Sequence, residues 1–119
     1  MVEPDKAGDR EVVAGNVTDK YGTKNPLYRR LMANFLRTVR ELVGRTNAKT
    51  VHEIGCGEGL LAIELARWLP GAQVAGSDLS AEIIEEARGN AREAGVEVRF
   101  FPAGVQDLNA PEHRADLVV

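Results

Sequence analysis

Thr50-Val51-His52-Glu53-Ile54-Gly55-Cys56-Gly57-Glu58-Gly59 is the stretch whose reading decides the fold. A run rich in β-branched residues, Thr50 to Ile54, stops at three alternating glycines. An apolar segment at helical spacing, Leu60 to Leu69, follows them. Strand, tight loop and helix in that order are the opening unit of a doubly wound α/β fold. Gly55 and Gly57 permit backbone conformations that a β-carbon would hinder and let a ligand approach the main chain. Gly59 lets the start of the helix pack close to the strand. The N–H groups at that helix start favour polar or anionic ligand groups.

The residues on either side narrow the choice of ligand. A dinucleotide dehydrogenase wants G-x-G-x-x-G after its first strand. Here the spacing is G-x-G-x-G, and an acid, Glu53, stands two residues before the first glycine. Downstream, Gln73 to Ser77 reads as a second strand that ends in Asp78-Leu79-Ser80. Asp78 comes about 20 residues after the loop, the distance that brings the end of the second strand beside the end of the first. A carboxylate there can accept from both hydroxyls of a ribose. Ser80 is better placed than Asp78 to cap the helix that follows.

Glu53-Ile54-Gly55-Cys56-Gly57-Glu58-Gly59 resembles the first motif, acid-x-G-x-G-x-G, of the class I S-adenosylmethionine-dependent methyltransferases. Gly76-Ser77-Asp78-Leu79-Ser80 is similar to the second motif of that family. The resemblance covers about residues 50–119, with weaker support from residues 21–44. It implies that Glu53 lies near the methionine part of S-adenosylmethionine and that Gly55, Cys56 and Gly57 line its amino-acid and ribose portions. It further implies that Asp78 holds the ribose and that Leu79 packs near the adenine. Pro102-Ala103-Gly104-Val105-Gln106-Asp107-Leu108 departs from the family pattern. Many members carry an Asp that accepts from the adenine amino group where Gly104 stands. The N–H of Val105 is then expected to bond the adenine ring, with Gln106 or Asp107 supplying the acceptor by another route.

Upstream of the first strand, Asn25-Pro26 is a helix start: an Asn N-cap followed by Pro at the first helical position. Leu27, Leu31, Phe35, Val39 and Leu42 recur at helical spacing, and Met32, Leu36 and Val43 widen the stripe. Arg29, Arg30, Arg37 and Arg40 mostly take the other side, a solvated face. Residues 1–24 are polar and read as a flexible segment. In the resembled family the helix before the first motif often caps the cofactor pocket, which would bring Tyr21 and Lys24 towards the ligand.

Ala81 to Ala94 is an amphipathic helix with Ile83, Ile84, Ala87 and Ala91 inward, closed by Gly95. Val96 to Phe101 alternates and reads as a third strand. A polar loop over 109–114 leads to a fourth strand over 115–119. The fold class is therefore α/β, a Rossmann-like three-layer sandwich with a parallel sheet ordered 3-2-1-4, preceded by an N-terminal helix. Residues 25–119 read as the N-terminal part of a methyltransferase domain that stops within its fourth strand.

Composition limits the alternatives. The net charge of −3 and 44 % hydrophobic content describe a soluble globular chain of one domain at most. No apolar run approaches the roughly 20 residues of a membrane helix, and no signal-peptide core precedes Arg10. One cysteine excludes an internal disulfide and points to a cytoplasmic setting. Two isolated histidines and that cysteine make no metal pattern. His52 reads as a satisfied histidine of the core and His113 as a solvated one. Trp68 and Phe100 read as core residues, and Cys56 has no base nearby in sequence to make it a nucleophile. The mild acidity and the lack of aromatic–basic interleaving argue against a nucleic-acid partner.

The expected activity is methyl transfer from S-adenosylmethionine to a small-molecule acceptor, with no general base nameable. Two other readings stand beside it. One is half of a nicotinamide-dependent oxidoreductase. The other is a noncatalytic assembly module that pairs through the exposed fourth strand, which also allows a homodimer by strand exchange.

Overall fold

The computed structural model describes residues 25–119; the segment read as flexible, with Tyr21 and Lys24, lies outside them. Helix α1 runs Pro26–Gly44 and begins as its sequence predicts. Asn25 Oδ1 accepts from the N–H groups of Leu27 (2.9 Å) and Tyr28 (3.2 Å). Four strands follow, β1 (Thr50–Ile54), β2 (Gln73–Asp78), β3 (Arg99–Pro102) and β4 (Leu117–Val118). Helix α2 (Leu60–Trp68) joins β1 to β2, and α3 (Ala81–Ala94) joins β2 to β3. All pairings are parallel and the order is β3-β2-β1-β4.

One core lies between the helices and one face of the sheet. Val51, Val74 and Phe100 look towards Leu61, Leu65, Ile84, Ala87 and Ala91, all buried. By strand alternation His52, Ser77 and Phe101 look the other way. That second face is met by a short 3-10 turn, Pro111–His113, whose histidine stacks on Phe101 with ring centroids 5.1 Å apart. His52 is buried and its Nε2 lies 2.9 Å from Ser77 Oγ, a satisfied core histidine as expected. Burial lowers its pKa, and Arg99 and His113 push it the same way. His113 differs from the solvated residue expected: it is half-buried against Phe101, because its turn folds back over the sheet.

Helix α1 also departs from expectation. Leu27, Leu31, Phe35 and Leu42 are exposed, whereas Val43 is buried and Leu36 and Val39 pack on the core. The apolar arc of α1 is wide enough for two adjacent stripes, and only one of them meets α2. Arg40 rests 5.9 Å from the centroid of the half-buried Trp68 ring.

β3 is shorter than the alternation over 96–101 predicts. The N–H of Val96 donates to Ala91 O (3.2 Å), closing the end of α3 with Gly95, and pairing with β2 starts only at Arg99. Val96 and Val98 still pack on the core, so their side chains alternate as in a strand while the backbone is still leaving the helix. β4 is anchored through Asp116. Its carboxylate accepts from the N–H groups of Lys49 and Thr50, and these bonds hold its pKa below the ordinary value.

Candidate active site

The carboxyl ends of β1, β2 and β3 meet in one region, the place where open parallel sheets bind ligands. The loop after β1 carries three left-handed glycines: Gly55 (φ +71°), Gly57 (φ +56°) and Gly59 (φ +84°). Gly59 is constrained twice over. A β-carbon there would lie 2.5 Å from the Phe100 ring and 3.0 Å from Ala87 Cβ. Gly55 faces open space, where a β-carbon would meet nothing within 4 Å. Sequence spacing thus anticipated two different uses of glycine, close packing and an open approach to the backbone.

The loop N–H groups point inward rather than towards an anion. Those of Gly55 and Cys56 donate to Ser77 O (2.8 and 2.9 Å), that of Gly57 to Asp78 Oδ2 (3.0 Å) and that of Gly59 to Cys56 O (2.9 Å). A pyrophosphate cradle needs such donors free, and these four are engaged within the protein. Asn90 of α3, which nothing in the motif spacing singled out, adds a brace: its Nδ2 donates to Glu58 O at 2.9 Å.

Asp78 ends β2 with both carboxylate oxygens occupied. Oδ2 takes the Gly57 N–H, and Oδ1 takes that of Ser80 at 3.1 Å. Ser80 is the helix cap, accepting from Ile83 N–H at 3.2 Å, as the sequence indicates. Asp78 therefore ties the glycine loop to the start of α3 and still presents a carboxylate at the rim. Beside it Leu79 is 79 % exposed and Val105 67 % exposed, two apolar groups open at the ends of neighbouring strands.

Glu53 sits below the glycine loop in a different state. Its Oε1 is buried with no hydrogen-bond partner among the described residues. Burial raises its pKa to about 8; the Ala62 backbone opposes this through a hydrogen bond, and the nearby Asp78 charge adds to it. Cys56 is buried too, its thiol pushed up to about 12 by burial and by the Glu53 and Asp78 charges. A thiol so rarely ionised is no nucleophile at neutral pH. Among the described residues no group of three or more His, Cys, Asp or Glu side chains could hold a metal ion.

After β3 the chain forms a 3-10 turn, Val105–Asn109. The N–H of Ala103 donates to Asp78 O at 2.9 Å, which holds this turn against the end of β2. Asp107 Oδ2 accepts from Gly104 N–H at 3.0 Å. Glu53, Gly55, Cys56, Gly57, Asp78, Leu79, Val105 and Gln106, separated by up to 53 positions in the chain, thus come together around three adjacent strand ends.

A parallel sheet ordered 3-2-1-4, with a glycine loop after its first strand and an acid after its second, defines a Rossmann-like fold of the methyltransferase type. The chain belongs to the methyltransferase-domain family, whose model matches residues 51–119. It is 38 % identical over 109 residues to the Serratia proteamaculans ubiquinone biosynthesis O-methyltransferase, covering 91 % of this chain and 44 % of that protein. The chain thus spans less than half the length of that relative. Among solved structures it is similar to magnesium protoporphyrin IX methyltransferase from Synechocystis with bound SAH (26 % identity, TM-score 0.67, 92 % of this chain and 54 % of that one). It is also similar to PKMT2 from Rickettsia typhi in complex with AdoHcy (27 % identity, TM-score 0.56, 61 % and 14 %). The family match goes against the oxidoreductase reading, as does the inward turn of the loop N–H groups.

Proposed function

We propose that these residues form the cofactor-binding part of an S-adenosylmethionine-dependent methyltransferase whose acceptor is a small molecule. The observation that carries the reading is the pairing of a Glu53 carboxyl whose buried Oε1 has no partner with a rim carboxylate, Asp78, on adjacent strand ends.

The residues fit such a ligand. The orphan Oε1 of Glu53 lacks a donor, and an amino-acid ammonium supplies one. Asp78 offers its carboxylate to a ribose diol, each charge-assisted bond being worth about 1.5–3 kcal/mol. Leu79 and Val105 give apolar surface to a flat base. The open space at Gly55 admits the ligand's chain against the backbone. When bound, the cofactor supplies a sulfonium-activated methyl group. The protein's part is then to hold the donor, orient it and keep water out, and proximity of that kind accounts for about 7–11 kcal/mol of a barrier. The relative's name, an O-methyltransferase of ubiquinone biosynthesis, supports oxygen on a small molecule as the acceptor of the whole protein. Among the described residues no helix is long and apolar enough to cross a membrane, and we place the protein in the cytoplasm.

Calorimetric titration with S-adenosylhomocysteine tests the reading. The folded chain should bind it, and Asp78→Ala should weaken binding by about tenfold or more, equivalent to about 1.4 kcal/mol. An equal affinity in the variant, or binding of NADH instead, would remove Asp78 or the cofactor from the account.

A further inference from the structure

We propose that His52 and Ser77, joined on the far face of the sheet, are positioning residues for the cofactor: they fix the strand end whose carbonyl holds the glycine loop. The role rests on the cofactor reading above and falls to two residues that the ligand cannot reach.

Each of the two stands immediately before one of the site's acids, His52 before Glu53 and Ser77 before Asp78. Both are buried, with 3 % and 1 % of their surface exposed. By strand alternation their side chains leave the sheet on the face away from α2 and α3. There His52 Nε2 lies 2.9 Å from Ser77 Oγ. In the pairing of β1 with β2, His52 is level with Ala75 and Ile54 with Ser77. The bond is therefore a diagonal tie between the two strands, placed towards their carboxyl ends.

What the tie holds is a shared acceptor. Ser77 O takes the N–H groups of Gly55 (2.8 Å) and Cys56 (2.9 Å), the first two residues of the loop. Further along, Gly57 N–H is held by Asp78 Oδ2 and Glu58 O by Asn90 Nδ2. One oxygen serving two donors leaves the strand end little freedom. A shift that lengthens one bond or tilts the other loosens the part of the loop where Gly55 opens its backbone to the ligand.

The imidazole is itself fixed from behind. Phe101 lies against it with ring centroids 5.5 Å apart, and a hydrogen bond with the His113 backbone reaches it from the turn over the far face. A hydroxyl as deeply buried as that of Ser77 needs a partner, and an aliphatic side chain at position 52 takes this one away. A bond that served the core alone would add to global stability and do nothing particular at the loop. Positioning shows at the loop first.

Hydrogen exchange of single amides and calorimetric titration with S-adenosylhomocysteine separate the two roles. In His52→Leu and in Ser77→Ala, exchange at Gly55 and Cys56 should quicken by about tenfold relative to amides in the middle of α3. Both variants should bind the ligand about threefold to tenfold more weakly, the worth of one neutral hydrogen bond. His52→Gln keeps a polar group near the place of Nε2 and should return both quantities towards wild-type values. The double variant should be no worse than the weaker single one, because both substitutions break the same bond. Exchange that quickens equally in the loop and in α3 overturns the positioning role and leaves a core hydrogen bond. Unchanged exchange at Gly55 and Cys56 overturns it too, whatever the affinity. If the folded wild-type chain binds no S-adenosylhomocysteine while the loop amides respond as expected, the cofactor reading falls and the tie to the loop stands.

Discussion

The ends of the neighbouring strands β1 and β2 each carry a carboxyl group, and the two groups are held in different surroundings. Asp78 at the end of β2 has a backbone N–H on each oxygen and stays at the rim. Glu53 near the end of β1 is partly buried, has one buried oxygen without a partner, and has its pKa raised to about 8 by burial. The difference lies in what each acid is for. Asp78 holds two loops together whether or not a ligand is bound. Glu53 is left incomplete, and a buried polar group without a partner costs free energy until something supplies one. In the proposed site Asp78 both braces the loops and faces the ligand, whereas Glu53 has an oxygen that only the ligand would satisfy.

The comparison breaks most severely where the β1 loop loses its shape. Gly59→Ala should destabilise the fold by roughly 3–5 kcal/mol, from left-handed strain and from crowding of Phe100. Urea unfolding measures this, and a loss below about 1 kcal/mol would mean that the loop yields easily.

A smaller effect separates the two acids directly. Glu53 has a folded-state pKa above its ordinary value, so the folded state binds the extra proton in the window between about 4.5 and about 8. Its contribution to stability is complete below that window and is lost as pH rises through it. The ligand-free protein should lose roughly 3–4 kcal/mol between pH 5 and pH 9, and Glu53→Gln should flatten that part of the curve. If the slope persists in the variant, the unpartnered carboxyl is not its source.

The smallest effect is in protons rather than energy. Seating a cationic ammonium beside Glu53 favours its charged form, so S-adenosylhomocysteine binding at pH 7 should release up to about one proton. Binding enthalpies measured in buffers of different ionisation enthalpy would show it, and Glu53→Gln should abolish it. Equal enthalpies in all buffers would mean that Glu53 gives up no proton when the ligand binds.

The loop, the two acids and the sheet order were legible because they rest on short-range spacing. Glu53 to Gly59 and Gly76 to Ser80 are contiguous motifs, and alternating strand and helix patterns allow few topologies. Other features could not be seen at that range. Leu27, Leu31 and Phe35 lie on the same wide apolar arc as Leu36, Val39 and Val43, and only the docking of α2 decides which part of it is covered. Val96 and Val98 alternate like strand residues while the backbone of Val96 closes a helix. His113 stands in a polar stretch yet stacks on Phe101 because its turn crosses the sheet.

What the amino-acid sequence by itself determined is the class of fold and the identity of the acids. Glycine where φ must be positive and a carboxylate about 20 residues further on are demands of local backbone chemistry. What only the tertiary structure decided is the state of those groups. Burial leaves Glu53 protonated, Ser77 O takes the loop N–H groups, and Asp107 is tied to Gly104 while Gln106 is left with an open carboxamide. The first two depend on atoms far apart in the chain or on solvent removed by packing, and the third on how the turn after β3 closes on itself.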